Sequence, residues 1–149
     1  MNNIFKFTLA FLSVFVTDQI IKYLFLNGFD WHSRCISLTL AINEGVAFSM
    51  LSFLGGYLKY LQLLLILLLV YFFKKEGVIK NHPVISGILF AAALSNLLDR
   101  FVHGGVVDYV YWHCFFDFAI FNFADVCIDF AVLMLAYFYF FGKIPKQVA

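Results

Sequence analysis

The sequence predicts an α-helical membrane protein: a four-transmembrane-helix bundle with a small extracytoplasmic β-containing loop region between the first two spans. Three observations carry that prediction. The chain of 149 residues is 64% hydrophobic and 13% charged, with 21 phenylalanines and a mean hydropathy of +0.92, too apolar for a water-facing surface. Four apolar segments approach the ~20 residues that a helix needs to cross a bilayer. Between the first two lies a stretch, 36–42, whose apolar residues alternate as in a half-buried strand. The length suits one membrane unit spanning residues 1–149. No basic patch exists to bind nucleic acid.

The first span covers about 4–26. Lys6 and the apolar run after it imitate a cleavable leader, but the run meets Thr17, Asp18 and Lys22 instead of a small-residue cleavage site, so it reads as a retained span. The loop that follows carries the strand and then Asn43-Glu-Gly45, a turn. The second span covers about 54–73. The third covers about 84–98, with Pro83 suited to its first turn. The fourth covers about 121–141. Lys6, Lys74, Lys75, Lys80, Lys143 and Lys146 flank one side of these spans, against Arg34, Lys59 and Arg100 on the other. The positive-inside bias then places both termini in the cytoplasm, with Asp30, Glu44, Asp108 and Asp117 on the outer side.

A helix rises 1.5 Å per residue, which puts Asp18 about 21 Å and Lys22 about 27 Å along the first span, and Asn96 about 18 Å and Arg100 about 24 Å along the third. Asn122 and Asp125 open the fourth at its outer end. Polar groups from three spans therefore converge at one level near the outer interface, where intramembrane charge marks function.

Each group also has a plainer reading. Asp18 and Lys22, four residues apart, make a self-neutralising pair with Lys22 reaching outward to the interface. Asn96, Asp99 and Arg100 form a network at a helix end. Asn122 and Asp125 resemble a capping box. Asp129, one turn deeper, reads as a buried protonated acid, and Asp108, after Gly104-Gly105-Val106-Val107, as a solvated loop acid unless a partner reaches it. Asp117 reads as solvated or interfacial. Cys35, Cys114 and Cys127 form no CxxC or metal cluster and read as small buried residues. The four histidines define no metal site, and no serine sits in a nucleophile elbow. Two acids at a wet membrane edge leave aspartyl chemistry as the enzymatic option, the pair sharing a proton. The alternative is a small proton- or ion-translocating membrane protein. That would spread polar residues through the full thickness, whereas residues 63–73 are bare. A thiol oxidoreductase lacks its CxxC, and a scaffold does not need so many converging polar groups.

Four ordered blocks resemble those of lipoprotein signal peptidase (signal peptidase II), the bacterial intramembrane aspartyl protease family. They are Asp18-Gln-Ile-Ile-Lys22, Asn43-Glu-Gly-Val-Ala-Phe-Ser49, Asn96-Leu-Leu-Asp-Arg100 continuing to Gly105-Val-Val-Asp108, and Phe121-Asn-Phe-Ala-Asp125. The resemblance implies a metal-independent, cofactor-free endopeptidase of the bacterial inner membrane. It would remove the signal peptide from diacylglyceryl-modified prolipoproteins, cutting before the lipid-bearing cysteine. It implies that Asp108 and Asp125 are the catalytic pair. Asp18, Lys22, Asn43, Gly45, Asn96, Arg100 and Asn122 would surround the substrate and order the pair, with Asp99 a structural support. Membrane lipid and globomycin-type inhibitors are the further partners it implies, and a monomer suffices. The chain departs from the family pattern at Ser95, where glycine is common, at Ala119-Ile120, which lacks the usual proline, and at the extra acid Asp129.

Overall fold

The computed structural model describes residues 2–45 and 52–141. Helix α1 (Asn3–Leu26) is started by Asn2, whose side chain accepts the Ile4 amide. Strands β1 (Trp31–His32) and β2 (Ile36–Asn43) follow. A 3₁₀ segment, Ser52–Tyr57, kinks at Gly55 and leads into α2 (Leu58–Lys75). The short α3 (Val78–Asn81) turns the chain into α4 (Pro83–Val102), which has its proline in the first turn. Strand β3 (Val106–Trp112) and α5 (Phe123–Phe141) complete the described chain.

Helices α1, α2 together with the 3₁₀ lead-in from Phe53, α4 and α5 are each long and apolar enough to cross a membrane. Leu9, Leu64 and Leu133 are exposed on the outside of α1, α2 and α5. In water such surfaces would drive association, whereas lipid solvates them. Helix α4 is the most buried of the four spans, and small residues on it let its neighbours come close. A Cβ on Gly87 would lie 2.6 Å from the Phe7 carbonyl oxygen of α1. Ala92 packs with Ala124 and Cys127 of α5 on its other side. The expected spans hold to within a few residues, except that α4 runs one turn further and so carries Asp99 and Arg100 inside the helix.

The sheet has antiparallel order β1-β2-β3. Its third strand comes from the connection after α4, beyond the loop where the sequence placed the sheet. Val106 through Tyr109 are all buried, so β3 has no alternating pattern to reveal it, although valine and the aromatics suit a strand. Both long connections therefore meet at one end of the bundle, while Lys74, Lys75 and Lys80 lie around the α2–α3 turn at the other.

Two cysteine expectations are corrected. Cys35 and Cys114 are disulfide-bonded across 79 positions of sequence, and only Cys127 is a small buried thiol. The pairing follows from the β2–β3 register, in which Ile36 faces Trp112 and the His113 amide donates to the Cys35 carbonyl. Spacing along the chain carries no trace of that register.

Candidate active site

The N-terminus of α5 organises the site. The first amides of a helix lack intrahelical acceptors and must find others. Here three side chains from three elements supply them. Phe123 N–H donates to Tyr109 Oη at 3.0 Å, Ala124 N–H to Asp18 Oδ1 at 2.9 Å, and Asp125 N–H to Asn122 Oδ1 at 2.9 Å. Asp125 Oδ2 accepts the Asn122 amide at 3.0 Å in return, which completes the capping box. The plain reading of Asn122 and Asp125 thus holds, and the cap is also what fixes Asp125 in place. The chain reaches this cap along the edge of β3, where Val110 and Phe121 exchange backbone hydrogen bonds.

Behind the cap lies a buried charge network. Lys22 is 1% exposed and its ammonium lies 2.6 Å from both Asp18 and Asp99. It therefore does not reach outward, as the isolated pair suggested. Two carboxylates, with the Asn96 amide oxygen at 2.8 Å, hold it inside, because an unpaired buried charge is costly. Ser95 Oγ donates to Asp18 at 2.6 Å and accepts from Gln19, which also donates to Asp99. Ser95 thus braces the acid that caps α5. Asp99 also accepts the Val107 amide at 3.2 Å, which joins α4 to β3.

Asp108 is a buried strand residue, 2% exposed, and no solvated loop acid. Asn43 Nδ2 donates to its Oδ2 at 3.0 Å and Asn122 Nδ2 to its Oδ1 at 2.7 Å. Asn43 pairs with Val106 in the ladder, so Asp108, two residues on, shares its face. Asn96 Nδ2 donates to Asp125 Oδ1 at 2.8 Å and its Oδ1 accepts Asn122 Nδ2 at 3.1 Å. Asn122 therefore bridges the two acids, bonding Asp108 through its side chain and Asp125 through its backbone. Both acids line one cavity of about 420 Å³. Burial pushes the Asp108 carboxyl up to about 6, the nearby Asp125 carboxylate adds to the rise, and the bonds from Asn43 and Asn122 oppose it.

Asn43, Asn96 and Arg100 line the same cavity, whereas Asp18, Lys22, Asn122 and Gly45 stand behind it. Arg100 donates to the Gly45 carbonyl and, through Nε, to Gln62 Oε1 at 2.8 Å, tying the turn after β2 to α2. Gln62, Gln19 and Tyr109 were not singled out in the sequence. A glutamine inside an apolar span was the available signal for Gln62. Asp129 is exposed on the cavity wall, which corrects the expectation of a buried acid: its position on α5 faces the groove toward α2 and away from the packed α4 side. Asp117 is exposed and accepts the Tyr111 hydroxyl at 2.7 Å. Residues 46–49 of the second block, and Lys143 and Lys146 of the orientation argument, lie outside the described residues. Among the described residues no group of three or more histidines, cysteines or acids could hold a metal.

Comparison with known proteins shows the family. The family model for signal peptidase (SPase) II matches residues 10–141. The chain belongs to the signal peptidase II family. A lipoprotein signal peptidase of Helicobacter pylori (strain Shi470) is 56% identical over 143 residues, covering 94% of this chain and 91% of that protein. One from Sulfurovum sp. (strain NBC37-1) is 52% identical over 136 residues, covering 89% and 93%. A bacterial membrane enzyme solved by the in meso method at 2.3 Å superposes with a TM-score of 0.76 at 29% identity, covering 95% of this chain and 93% of that one. Of the polar side chains in the four blocks that the structure describes, all but the exposed Glu44 belong to one hydrogen-bonded network around the α5 cap.

Proposed function

We propose that the protein is a metal-independent aspartyl endopeptidase that removes the signal peptide from diacylglyceryl-modified prolipoproteins, cutting before the lipid-bearing cysteine. Asp108 and Asp125 are its catalytic pair. The observation that carries this reading is the joining of the two acids through Asn122 on the wall of one cavity. One carboxylate takes a proton from water as it attacks the scissile carbonyl, while the other, protonated, donates to the carbonyl oxygen. The proton taken from water then passes to the leaving nitrogen. Each carboxylate oxygen already accepts one bond from the frame, which fixes its direction and leaves lone pairs for water and substrate.

Asn43, Asn96 and Arg100 border the substrate. Asp18, Lys22, Gly45 and Asn122 act through them and through the cap. The site faces the outer side of the inner membrane, with both termini cytoplasmic. The disulfide at the sheet end suits an oxidising compartment, and the lysines at the opposite end suit the cytoplasm. A globomycin-type inhibitor would occupy the same cavity amid membrane lipid, and one copy of the chain suffices.

The test is cleavage of a lipidated prolipoprotein by purified protein. Asp108→Asn and Asp125→Asn should each lower kcat by at least about a thousandfold while the protein still accumulates in the membrane, and a chelator should change nothing. Asp99→Asn should instead cost folded protein. Activity retained in both dyad variants, or lost to the chelator, would overturn the reading.

A further inference from the structure

Asp129 is the acid that the frame does not use. It lies on α5 one turn beyond Asp125, exposed on the wall of the same cavity. Among the described residues no side chain or backbone group bonds to its carboxyl. Every other polar residue on that wall is engaged: Asn43 and Asn96 with the dyad, Gln62 with Arg100 and with the Ala93 carbonyl. The rest of the cavity wall is largely apolar and includes Leu61, Leu65 and Ile128. A carboxyl kept without a partner inside an apolar span is expensive, and the group that passes through this cavity is the substrate.

The geometry also says which part of the substrate passes it. One helical turn places Asp129 about 6 Å deeper than Asp125. An extended peptide advances about 3.3 Å per residue, so Asp129 stands about two residues from the scissile bond. Helix α5 runs from the sheet end into the bundle. A signal peptide keeps its apolar segment before the cut, so the residues preceding the scissile bond descend in the same direction.

We propose that Asp129 is a specificity-determining residue that accepts a hydrogen bond from a hydroxyl-bearing side chain about two positions before the scissile bond. This rests on the peptidase reading above. Apolar walls discriminate weakly between small side chains, whereas a site with a polar group in wait discriminates by leaving it unpaired when the donor is missing. The enzyme therefore prefers serine over alanine at that position.

The experiment uses the full-length enzyme in detergent–lipid micelles. Its substrates are diacylglyceryl-modified prolipoprotein peptides carrying serine or alanine, in turn, at each of the four positions before the cut. The readout is the serine-to-alanine ratio of kcat/KM, in which differences in active fraction cancel. The expected wild-type ratio is about tenfold at the second position. It should fall to about one in Asp129→Leu and to an intermediate value in Asp129→Asn, which keeps an acceptor oxygen. A wild-type ratio near one at all four positions overturns the proposal, as does an unchanged ratio in Asp129→Leu. So does a complete loss of cleavage in both variants, which would place Asp129 in the chemistry. Failure of the peptidase reading looks different: the wild type would then cleave no peptide faster than Asp108→Asn does.

Discussion

Asn43 holds the strand-borne acid through one hydrogen bond, from Nδ2 to Asp108 Oδ2 at 3.0 Å. Because that bond favours the ionised form, it keeps Asp108 below the value that burial alone would impose. The Asp108 value of about 6 exceeds the ordinary carboxyl value of 3.8, so the folded protein binds this proton more tightly than the unfolded chain. The stabilisation is complete below about pH 4 and is lost as pH rises through about 6, on the order of 3 kcal/mol in all. The fold thus gives up stability at neutral pH to hold a titratable group where the proposed aspartyl chemistry would use one. Removing the bond in Asn43→Ala should raise the Asp108 value further. The limb of the pH profile of kcat/KM near 6 should then move upward by about one unit. A limb that stays in place would show that Asn43 does not set it. That limb belongs to the coupled pair and to neither acid alone.

At the scale of elements, the approach of β3 to β2 decides whether Asn43 reaches Asp108 at all. Gly105 makes that approach possible, since a Cβ there would lie 2.8 Å from both the Asn43 carbonyl oxygen and Ile42 Cγ2. Gly105→Ala must push the strands apart, at about 1–3 kcal/mol, and should lower kcat at least about tenfold as the hydrogen bond lengthens. Gly104 has open space around it but a φ of +80°. Gly104→Ala should therefore cost about 1 kcal/mol of strain with kcat per folded molecule unchanged. Thermal unfolding and kcat measured on the same preparations separate the two, and equal kcat losses would refute the distinction. The α5 cap works at this scale too. Its first three amides are claimed by α1, by β3 and by its own N-cap, so no one element positions Asp125.

Over the whole molecule, the Cys35–Cys114 bond ties together connections that are 79 residues apart. A link closing so long a loop restrains the unfolded chain by at most about 4.5 kcal/mol, and by less when the spans stay in lipid. Reductant should lower the thermal midpoint of the wild type by several degrees and leave the Cys35→Ser/Cys114→Ser double variant, already lower, unmoved. A midpoint indifferent to reductant would show that the β2–β3 ladder carries the stability of the sheet end by itself. The spans pack around α4, and the polar network lies at the end where sheet and helix termini meet.

The sequence by itself determined the four spans, because crossing a bilayer demands long apolar runs whatever the packing. It also determined the level at which the polar groups gather, because helical rise converts sequence position into depth. The capping box at Asn122 and Asp125 was legible for a similar reason, being a local contact with a fixed spacing. Lys22, β3, the cysteine pair and Asp129 were decided by tertiary structure. Whether a lysine turns inward depends on an acid from another helix, here Asp99, and a strand buried on both faces shows no alternation. A disulfide depends on strand register. The exposure of Asp129 depends on which side of α5 the neighbouring helices leave open. Each of these is fixed by partners distant in sequence, and one-dimensional periodicity carries no record of them.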